Sequence, residues 1–327
     1  MRMEWKPGEA IEVRHELWQG ALIVDADPRR LRHSLHGTQA SFQAAGNLLW
    51  VDWDAYGPEV FVREGGAYVL AGLRPRQPAA AAGGSVDPHG PLRARVAGTS
   101  VEIDAVSLRL PGDAGSALVR PATSDVPVFE AIFFAGDYDV PILGEDCDIV
   151  VDLGANTGLS SLYLSQRCPK ATLVAVEPAR ANFAVLAANV QDRPRIIPVE
   201  AAIWPRDGSI ELQDAEASGT KMQPWAYRTV ERDSGLGRYA VEAISIPTLM
   251  ARYGLGAIDV LKIDIEGAEY ELFSGDVAAW LPKTRAVLIE THERFRAGTD
   301  ELVSGVLSPH FVELAPRGEN RVFVRRE

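Results

Sequence analysis

The stretch Ile149–Gly158 (IVVDLGANTG), followed later by the acid Glu177, decides the fold of this chain. Its apolar start indicates a buried strand, its glycines indicate a turn, and the residues after Gly158 indicate a helix. Gly154 and Gly158 let the backbone approach a ligand without a Cβ in the way. In a doubly wound sheet, the first turn and the tip of the second strand meet at one end of the crevice, where a nucleotide binds. The pattern therefore predicts a pocket for a nucleoside cofactor.

Two details favour S-adenosylmethionine over a dinucleotide. A dinucleotide fingerprint reads Gly-x-Gly-x-x-Gly and holds a pyrophosphate at the helix N-terminus. Here Ala155 and Asn156 stand between the two glycines. Asp152 would repel phosphate, but it suits the cationic end of a methionine sulfonium. We therefore predict S-adenosylmethionine as the cofactor, with Glu177 accepting hydrogen bonds from the ribose hydroxyls. A NAD-dependent oxidoreductase is the disfavoured alternative, and an ordinary strand-to-helix turn is the non-functional one.

The charge of the chain argues against nucleic acid as a partner. The 327 residues include 33 basic and 45 acidic ones, so the formal net charge is −12. Binding to phosphates needs a basic surface. A composition of 46% hydrophobic and 24% charged residues is ordinary for a soluble globular protein of one large or two smaller domains. We therefore expect a small-molecule substrate.

Cysteine content and hydropathy predict a cytoplasmic protein that does not enter a membrane. Cys147 and Cys168 are the only cysteines, so no disulfide framework is implied and a reducing compartment fits. No stretch approaches ~20 apolar residues, and Met1–Ala10 lacks the apolar region of a signal peptide.

Changes in composition divide the chain into four segments. Residues 1–75 are predicted to form a small N-terminal α+β domain, with short apolar strands and a helix between Pro28 and Phe42. Four of the seven tryptophans lie there, which suits a domain that packs its own core, an apolar surface for a partner, or a homodimer. Residues 76–96, rich in Pro, Ala and Gly, are predicted to be a flexible linker, and residues 97–147 a lead-in segment that packs on the catalytic domain.

From residue 148 to 327, strand and helix patterns alternate, as is typical of a parallel sheet with crossover helices. The chain ends in two short apolar runs that predict an antiparallel hairpin at the edge of the sheet. The fold class is therefore α/β, with a Rossmann-like, mostly parallel sheet. The polar stretch Asp214–Tyr239 is predicted to be a lid. The main elements are predicted as strands at 148–152, 173–177, 196–203, 258–265 and 286–290, and helices at 159–167, 179–190, 246–253 and 268–280.

These motifs together resemble the FkbM-type, S-adenosylmethionine-dependent methyltransferases. The resemblance is strongest at Leu261–Glu269 (LKIDIEGAE), with Ile289–His292 (IETH) after it, and it covers roughly residues 119–296. It also includes the segments RPATSD at 120–125, GDY at 136–138, DLGANTG at 152–158, VEP at 176–178, AIW at 202–204 and DG at 207–208. The resemblance implies a class I methyltransferase fold and transfer of a methyl group, mostly to hydroxyls of natural products or sugars.

Methyl transfer to a hydroxyl needs positioning and a base, because a hydroxyl is a poor nucleophile at neutral pH. Asp264 and Glu266, two residues apart at the tip of the fourth predicted strand, are expected to project to the same side. His292 follows the neighbouring strand and titrates near neutrality. We predict Asp264 as base or substrate ligand, His292 as the other candidate base and Glu266 as a supporting group. The non-functional alternatives are a carboxylate that binds backbone amides, a rim histidine and a helix-dipole partner.

The cofactor is predicted to contact residues from four segments. Gly154, Asn156 and Gly158 are expected against its methionine and ribose portions, and Asp152 at its amino end or the water around it. Ala202 and its neighbours at 201–203 would flank adenine, where small apolar side chains suit a flat ring. The residues expected to close over the methionine tail, or else to serve in capping and packing, are Thr123 and Tyr138.

Several alternatives remain open at this point. Asp264, Glu266 and His292 can together hold a divalent cation, but this is not favoured because the sequence shows no dense acidic cluster elsewhere, and no metal site is predicted. The same pocket permits methylation of nitrogen, sulfur or a peptide side chain. A catalytically silent nucleoside-binding protein would also keep the fold.

Overall fold

The computed structural model describes residues 6–14, 21–26, 30–33, 39–45, 48–53, 57–64, 67–73, 92–96, 99–103, 105–111, 115–120, 123–213, 228–230 and 239–326. The chain divides into two compact units, residues 1–94 with 100–134 and residues 95–99 with 135–327. The division after Phe134 falls inside the predicted lead-in segment 97–147. Most of the predicted linker 76–96 lies outside the described residues. Among those described, no helix has both the length and the apolar character needed to cross a membrane.

The first unit contains a closed barrel of seven strands. These are β1 (Ala10–Arg14), β2 (Ala21–Val24), β3 (Arg30–His33), β4 (Gln39–Ala45), β5 (Leu48–Trp53), β6 (Gly57–Glu64) and β7 (Ala67–Leu73). Successive strands pair antiparallel, and a parallel pairing of β1 with β7 closes the barrel. Its interior is apolar because alternate side chains point inward, among them the fully buried Leu22, Leu49 and Phe61.

The helix predicted between Pro28 and Phe42 is wrong, because β3 and β4 occupy most of that range. Leu31 pairs with Ala40 across the two strands, and both are fully buried. Polar and apolar residues alternate with a period of two in each strand, which is the pattern of a half-buried strand and not of a helix. The part of residues 1–75 that the structure describes is therefore all β, and the helix is the part of the α+β prediction that the structure contradicts.

Short elements follow the barrel in the chain. Two two-stranded sheets are made of β8 (Leu92–Val96) with β9 (Thr99–Ile103) and of β10 (Val106–Arg109) with β11 (Ser116–Val119). Helix α1 (Asp125–Glu130) then runs into a π-helical turn at Ala131–Ala135. Before α1, the guanidinium of Arg120 donates to both carboxylate oxygens of Asp125 at 2.9 and 2.8 Å. The RPATSD motif is thus closed by a buried ion pair between its own ends.

The second unit contains the sheet that the sequence predicted. The strands of this unit are β12 (Ile149–Leu153), β13 (Thr172–Val176), β14 (Ile196–Val199), β15 (Ala202–Ile203), β16 (Gly208–Gln213), β17 (Arg228–Val230), β18 (Tyr239–Ile244), β19 (Ile258–Ile263), β20 (Thr284–Ile289), β21 (Phe311–Arg317) and β22 (Asn320–Arg325). Seven of them form one sheet in the order β14-β13-β12-β19-β20-β22-β21. The first five are parallel and the last two form an antiparallel hairpin, so the predicted Rossmann-like α/β fold class is confirmed.

The helices of this unit are α2 (Leu159–Arg167), α3 (Arg180–Val190), α4 (Ile246–Tyr253), α5 (Glu269–Ser274) and α6 (Thr299–Leu307). The bounds predicted for α2 and α4 are confirmed. The helix predicted over 268–280 ends early, at Ser274. The backbone of Gly275 is extended, so the helix stops there and the chain continues in 3₁₀ turns.

The third predicted strand, 196–203, is in fact two strands in different sheets. β14 ends at Val199, and β15 pairs with β18 in a four-stranded sheet of order β15-β18-β16-β17. The break brings residues 201–203 away from the edge of the large sheet and over the tips of its strands. Most of the predicted lid, Asp214–Tyr239, lies outside the described residues, except for β17 and the first residue of β18.

The central strands β12 and β19 are joined by a buried ion pair. Asp152 and Lys262 are direct partners in the parallel register, and neither side chain is more than 1% exposed. The Lys262 ammonium lies 3.2 Å from Asp152 Oδ1 and donates to the carbonyl of Gly154 at 2.7 Å. Burial acts to lower the pKa of Lys262, but the negative charges of Asp152 and Asp264 raise it above its ordinary value. The ammonium therefore remains charged beneath the glycine turn.

We expect Lys262→Met to destabilise the second unit by about 3–5 kcal/mol, because it leaves the carboxylate of Asp152 buried without its cation. Urea denaturation followed by circular dichroism measures the loss. Lys283→Met, at an exposed position, is the matched control, and its urea concentration at half-unfolding should stay near that of the wild-type protein. The double variant Lys262→Met with Asp152→Asn should recover part of the loss. A Lys262→Met protein as stable as wild type would show that the pair contributes nothing.

Candidate active site

A cleft of about 570 Å³, partly open to solvent, lies at the carboxyl ends of β12, β13 and β19. This is the edge of a parallel sheet at which ligands bind in open α/β folds. Charged and polar side chains on its wall come from three chain segments that the fold brings together. The lining residues are Gly154, Asn156, Val176, Glu177, Pro178, Ala179, Asn182, Ala201, Ala202, Ile203, Leu212, Asp264, Ile265 and Glu266.

Glu177 holds one side of the cleft. Its carboxylate accepts hydrogen bonds from the backbone N–H groups of Asn156 and Ala179, both at 2.9 Å, and from the Asn182 amide at 3.3 Å. A carboxylate has about four acceptor sites, so one remains for a ligand. Burial raises the pKa of Glu177 to about 7, although the three donors favour its ionised form. Glu177 therefore lies on the cleft wall where the sequence predicts a ribose ligand.

The glycine turn forms the floor between the two acidic walls. Gly154 has φ +75°, and a Cβ there would lie 1.7 Å from the carbonyl oxygen of Asp264. Asn156 also adopts the left-handed conformation, at φ 50°, which points its N–H at Glu177. Gly158 does not line the cleft. A Cβ added at this position would lie 2.6 Å from Leu186 Cδ1, so a glycine is required for packing at the start of α2.

Asp152 does not reach the cleft wall. Its side chain is fully buried, where Ser160 and Ser161 on α2 donate to Oδ2 at 2.7 and 2.6 Å and Lys262 neutralises Oδ1. The direct cofactor contact predicted for this residue does not fit that burial. Asp152 instead fixes the strand, the helix and the buried ammonium under the turn.

The wall beyond Glu177 is small and apolar. Ala202, predicted beside adenine, lines the cleft together with Ala201, Ile203 and Leu212. The break between β14 and β15 places these side chains there, and Leu212 comes from β16 in the smaller sheet. Flat aromatic rings bind to surfaces of this kind.

Asp264 and Glu266 form the opposite wall, as the sequence predicts, but not by the predicted geometry. β19 ends at Ile263, and Glu266 adopts a left-handed backbone at φ 53°, so the segment is not extended. Both carboxylates line the cleft. Burial raises the pKa of Asp264, and burial together with the neighbouring Asp264 charge raises that of Glu266 to about 8.

His292 is buried behind these two acids and is not on a rim. Its Nδ1 lies 2.9 Å from Glu269 Oε1, and its Nε2 lies 3.3 Å from Glu266 and Glu290 and 3.8 Å from Asp264. Burial acts to lower the pKa of His292, but hydrogen bonds with Glu269 and Glu290 raise it to about 11. An imidazole of this kind is protonated at neutral pH and is a poor base.

The two residues predicted over the methionine tail have other contacts. Thr123 lies in the first unit, where its hydroxyl donates to the Arg120 carbonyl at 2.9 Å and accepts from the Asp125 N–H. Tyr138 is buried in the second unit with its ring centroid 6.5 Å from that of Tyr163. Burial raises the pKa of Tyr138. Their predicted role at the cofactor stays a prediction.

Sequence reasoning missed three of the charged residues of this region. Glu290 and Glu269 lie within 3.3 Å of the two His292 nitrogens, and Lys262 is buried. Glu290 precedes His292 by two residues at the end of a strand, which is the same spacing that singled out Asp264 and Glu266. Lys262 lies opposite Asp152 in a mostly apolar strand, and buried charges so placed are generally paired.

Comparison with known proteins identifies a methyltransferase family. The profile of the methyltransferase FkbM domain matches residues 152–312. Methyltransferase sdnD of Sordaria araneosa is 30% identical over 196 residues, covering 51% of this chain and 74% of that protein. The 2-O-methyltransferase NoeI of Sinorhizobium fredii is 29% identical, covering 53% and 72%. For the 31-O-demethyl-FK506 methyltransferase FkbM of Streptomyces tacrolimicus the identity is 27%, with coverages of 45% and 66%.

The matched region begins at Asp152, directly before the glycine turn, and contains every carboxylate that lines the cleft. About half of this chain is covered, and the barrel of the first unit is outside the match. The resemblance predicted from the LKIDIEGAE and DLGANTG motifs is confirmed: the chain belongs to the FkbM family of methyltransferases.

Proposed function

We propose that this protein transfers a methyl group from S-adenosylmethionine to a hydroxyl of a small molecule. The observation that carries the proposal is that the carboxylates of Glu177 and Asp264 line one cleft on either side of the Gly154 turn. One acid is suited to a ribose and the other to an acceptor hydroxyl. One relative is named a 2-O-methyltransferase, and another is named for its 31-O-demethyl substrate. Both names support oxygen as the acceptor atom.

The residues present fit this cofactor. Glu177 keeps an acceptor site for ribose hydroxyls, and the apolar side chains of residues 201–203 with Leu212 suit adenine. Gly154 lines the cleft, and its lack of a Cβ lets the turn pack directly against the Asp264 backbone, whose carbonyl oxygen would lie 1.7 Å from a Cβ at this position. When bound, S-adenosylmethionine supplies an electrophilic methyl group: the O–C bond forms, the S–C bond breaks, and its electron pair stays on sulfur. No further reactant is needed.

The protein's own contribution is to position the acceptor and to remove its proton. Asp264 lines the cleft on the side opposite Glu177, and its burial raises its pKa and so its affinity for a proton. Protonated His292, 3.8 Å from Asp264 Oδ1, stabilises the carboxylate and orients it. The base is therefore Asp264, with His292 as a positioning residue. A natural product or a sugar-like molecule is the acceptor class that we propose.

Calorimetry with S-adenosylhomocysteine and with NAD separates the candidate classes. A methyltransferase of any acceptor binds S-adenosylhomocysteine, whereas an oxidoreductase binds NAD. Release of S-adenosylhomocysteine is then measured over a panel of hydroxyl, amine, thiol and peptide acceptors. Turnover with hydroxyl compounds supports the proposal, turnover with amines, thiols or peptides alone contradicts its acceptor atom, and binding of NAD alone contradicts the cofactor.

The affinity for S-adenosylhomocysteine should fall about tenfold between pH 8 and pH 6, because Glu177 has a pKa of about 7 and its ionised form is the better acceptor for a ribose hydroxyl. Because the pKa of Glu177 is raised, its carboxylate is ionised above pH 7, where the affinity is full. The carboxylate becomes protonated, and the affinity falls, as the pH drops through 7. Calorimetry across this range measures the slope. Glu177→Gln should bind more weakly with a flat pH profile, and Glu301→Gln, at an exposed position, should keep the wild-type slope. An unchanged slope in Glu177→Gln would exclude this residue as the titrating group.

Asp264→Asn should lower turnover by about 10²–10⁴, the usual contribution of a general base, because an amide cannot accept the hydroxyl proton. Its dissociation constant for S-adenosylhomocysteine should change only a few-fold, since Asp264 lies on the acceptor side. Initial rates at saturating cofactor are compared with those of Asp192→Asn, a matched exposed control. Wild-type turnover in folded Asp264→Asn would remove Asp264 from the chemistry.

A further inference from the structure

We propose that Asp264, Glu290 and His292 bind a divalent transition-metal ion of the Mn²⁺ class at the base of the cleft. One oxygen of each acid and one nitrogen of the histidine lie within 4.8 Å of one another. Adjacent ligands around an ion with bonds of roughly 2.1 Å are about 3 Å apart, so small side-chain rotations complete the site. Carboxylate oxygens favour Mg²⁺ and Mn²⁺, whereas the imidazole favours transition metals. Mn²⁺ satisfies both.

The proposed ligands lie in a crowded group of carboxylates. Those of Asp264, Glu266 and Glu290 lie 3.8, 3.3 and 3.3 Å from the Nε2 atom of His292. Lys262 approaches Asp264 at 3.5 Å but is already paired with Asp152, and Arg294 lies 3.9 Å from Glu266. Carboxylates gathered in a partly buried site repel one another unless protons or a cation neutralise them. A divalent ion between Asp264 and Glu290 would reduce this repulsion.

Two buried carboxylate oxygens of this region, Asp264 Oδ1 and Glu266 Oε2, accept no hydrogen bond from the part of the chain that the structure describes. They lie 3.8 and 3.3 Å from His292 Nε2. A buried carboxylate oxygen without a donor is costly, and a bound ion or a water satisfies it. Of the two residues, Asp264 belongs to the proposed site.

Glu269 sets the orientation of His292. It is fully buried and also accepts from the N–H groups of Ile265 and Gly267 at 3.1 and 3.0 Å, so its carboxylate is fixed in place. It holds His292 Nδ1 at 2.9 Å and thereby directs Nε2 at Asp264 and Glu290. This carboxylate–histidine arrangement is what orients imidazole ligands in metal sites. A metal ion takes the place of the proton on Nε2.

The consequence for the substrate rests on the proposed function. Asp264 lines the cleft, so an ion bound at its Oδ1 is within reach of an acceptor oxygen. The ion lowers the pKa of a coordinated hydroxyl, whose proton passes to Asp264 Oδ2 while its oxygen attacks the methyl carbon and the C–S electron pair leaves on sulfur. Acceptors with a second oxygen next to the hydroxyl, such as vicinal diols of sugars, would chelate the ion. That is the substrate class we infer.

The test uses the full-length chain stripped with EDTA and titrated with Mn²⁺, with electron paramagnetic resonance reporting the unbound ion. We expect one ion per chain, a loss of affinity of about tenfold or more in Glu290→Gln, and wild-type binding in Glu301→Gln. Absence of saturable binding, or wild-type affinity in folded Glu290→Gln, overturns the site. Calorimetry with S-adenosylhomocysteine on the same samples separates the two proposals, because ion binding without nucleoside binding contradicts only the proposed function.

A measurement on the unmodified protein removes the dependence on variant folding. Pulsed electron paramagnetic resonance of bound Mn²⁺ should show hyperfine coupling to an imidazole nitrogen, because His292 Nε2 is a ligand. The coupling should be lost in His292→Gln. Bound Mn²⁺ without nitrogen coupling in the wild-type protein would place the ion elsewhere and overturn the assignment.

Discussion

The ammonium of Lys262 lies beneath the glycine turn, and the arrangement of the cleft depends on it. It neutralises Asp152 at 3.2 Å, donates to the Gly154 carbonyl at 2.7 Å and approaches Asp264 at 3.5 Å. One buried cation thus joins strand β12, the turn that follows it and the acid at the tip of β19. A neutral side chain at position 262 would leave two carboxylates facing each other across the central strand pair. Because the turn and the acid share this cation, the two halves of the cleft are positioned together.

Much of the fold was predictable because its signals are local. The apolar strand before Asp152, the glycines after it and the terminal hairpin each follow from neighbouring residues, and the parallel sheet follows from their alternation. The prediction of one strand over 196–203 failed because a distant contact decides: β15 leaves the large sheet to pair with β18, which cannot be identified from that segment alone. The helix predicted around Leu31 failed for a local reason, because the alternation of period two in β3 and β4 is itself a strand pattern.

The difference between local signals and contacts from other segments also explains which parts of the candidate site were predictable. Asp264, Glu266 and Glu177 were recognisable as acids at strand ends, and the structure does place all three on one cleft. Their protonation depends on neighbours that sequence spacing does not reveal. His292 was predicted as a base near neutrality, yet Glu269 and Glu290 raise its pKa to about 11. Asp152 was predicted on the ligand side, but the pleat of β12 turns it toward α2. The side to which a strand residue points depends on what packs against each face.

The strand order of the sheet sets the distance between the two acids. Glu177 follows β13 and Asp264 follows β19, and β12 lies between those two strands. Neighbouring strands are about 4.8 Å apart, so the two acids are separated by about 10 Å at the same edge of the sheet. The turn after β12 lies between them, and Gly154 lets it pack directly against the Asp264 backbone. In the complex that we propose, an adenosyl sulfonium with its ribose at Glu177 would extend across this turn toward Asp264, and the substrate would be recognised by residues beyond Asp264.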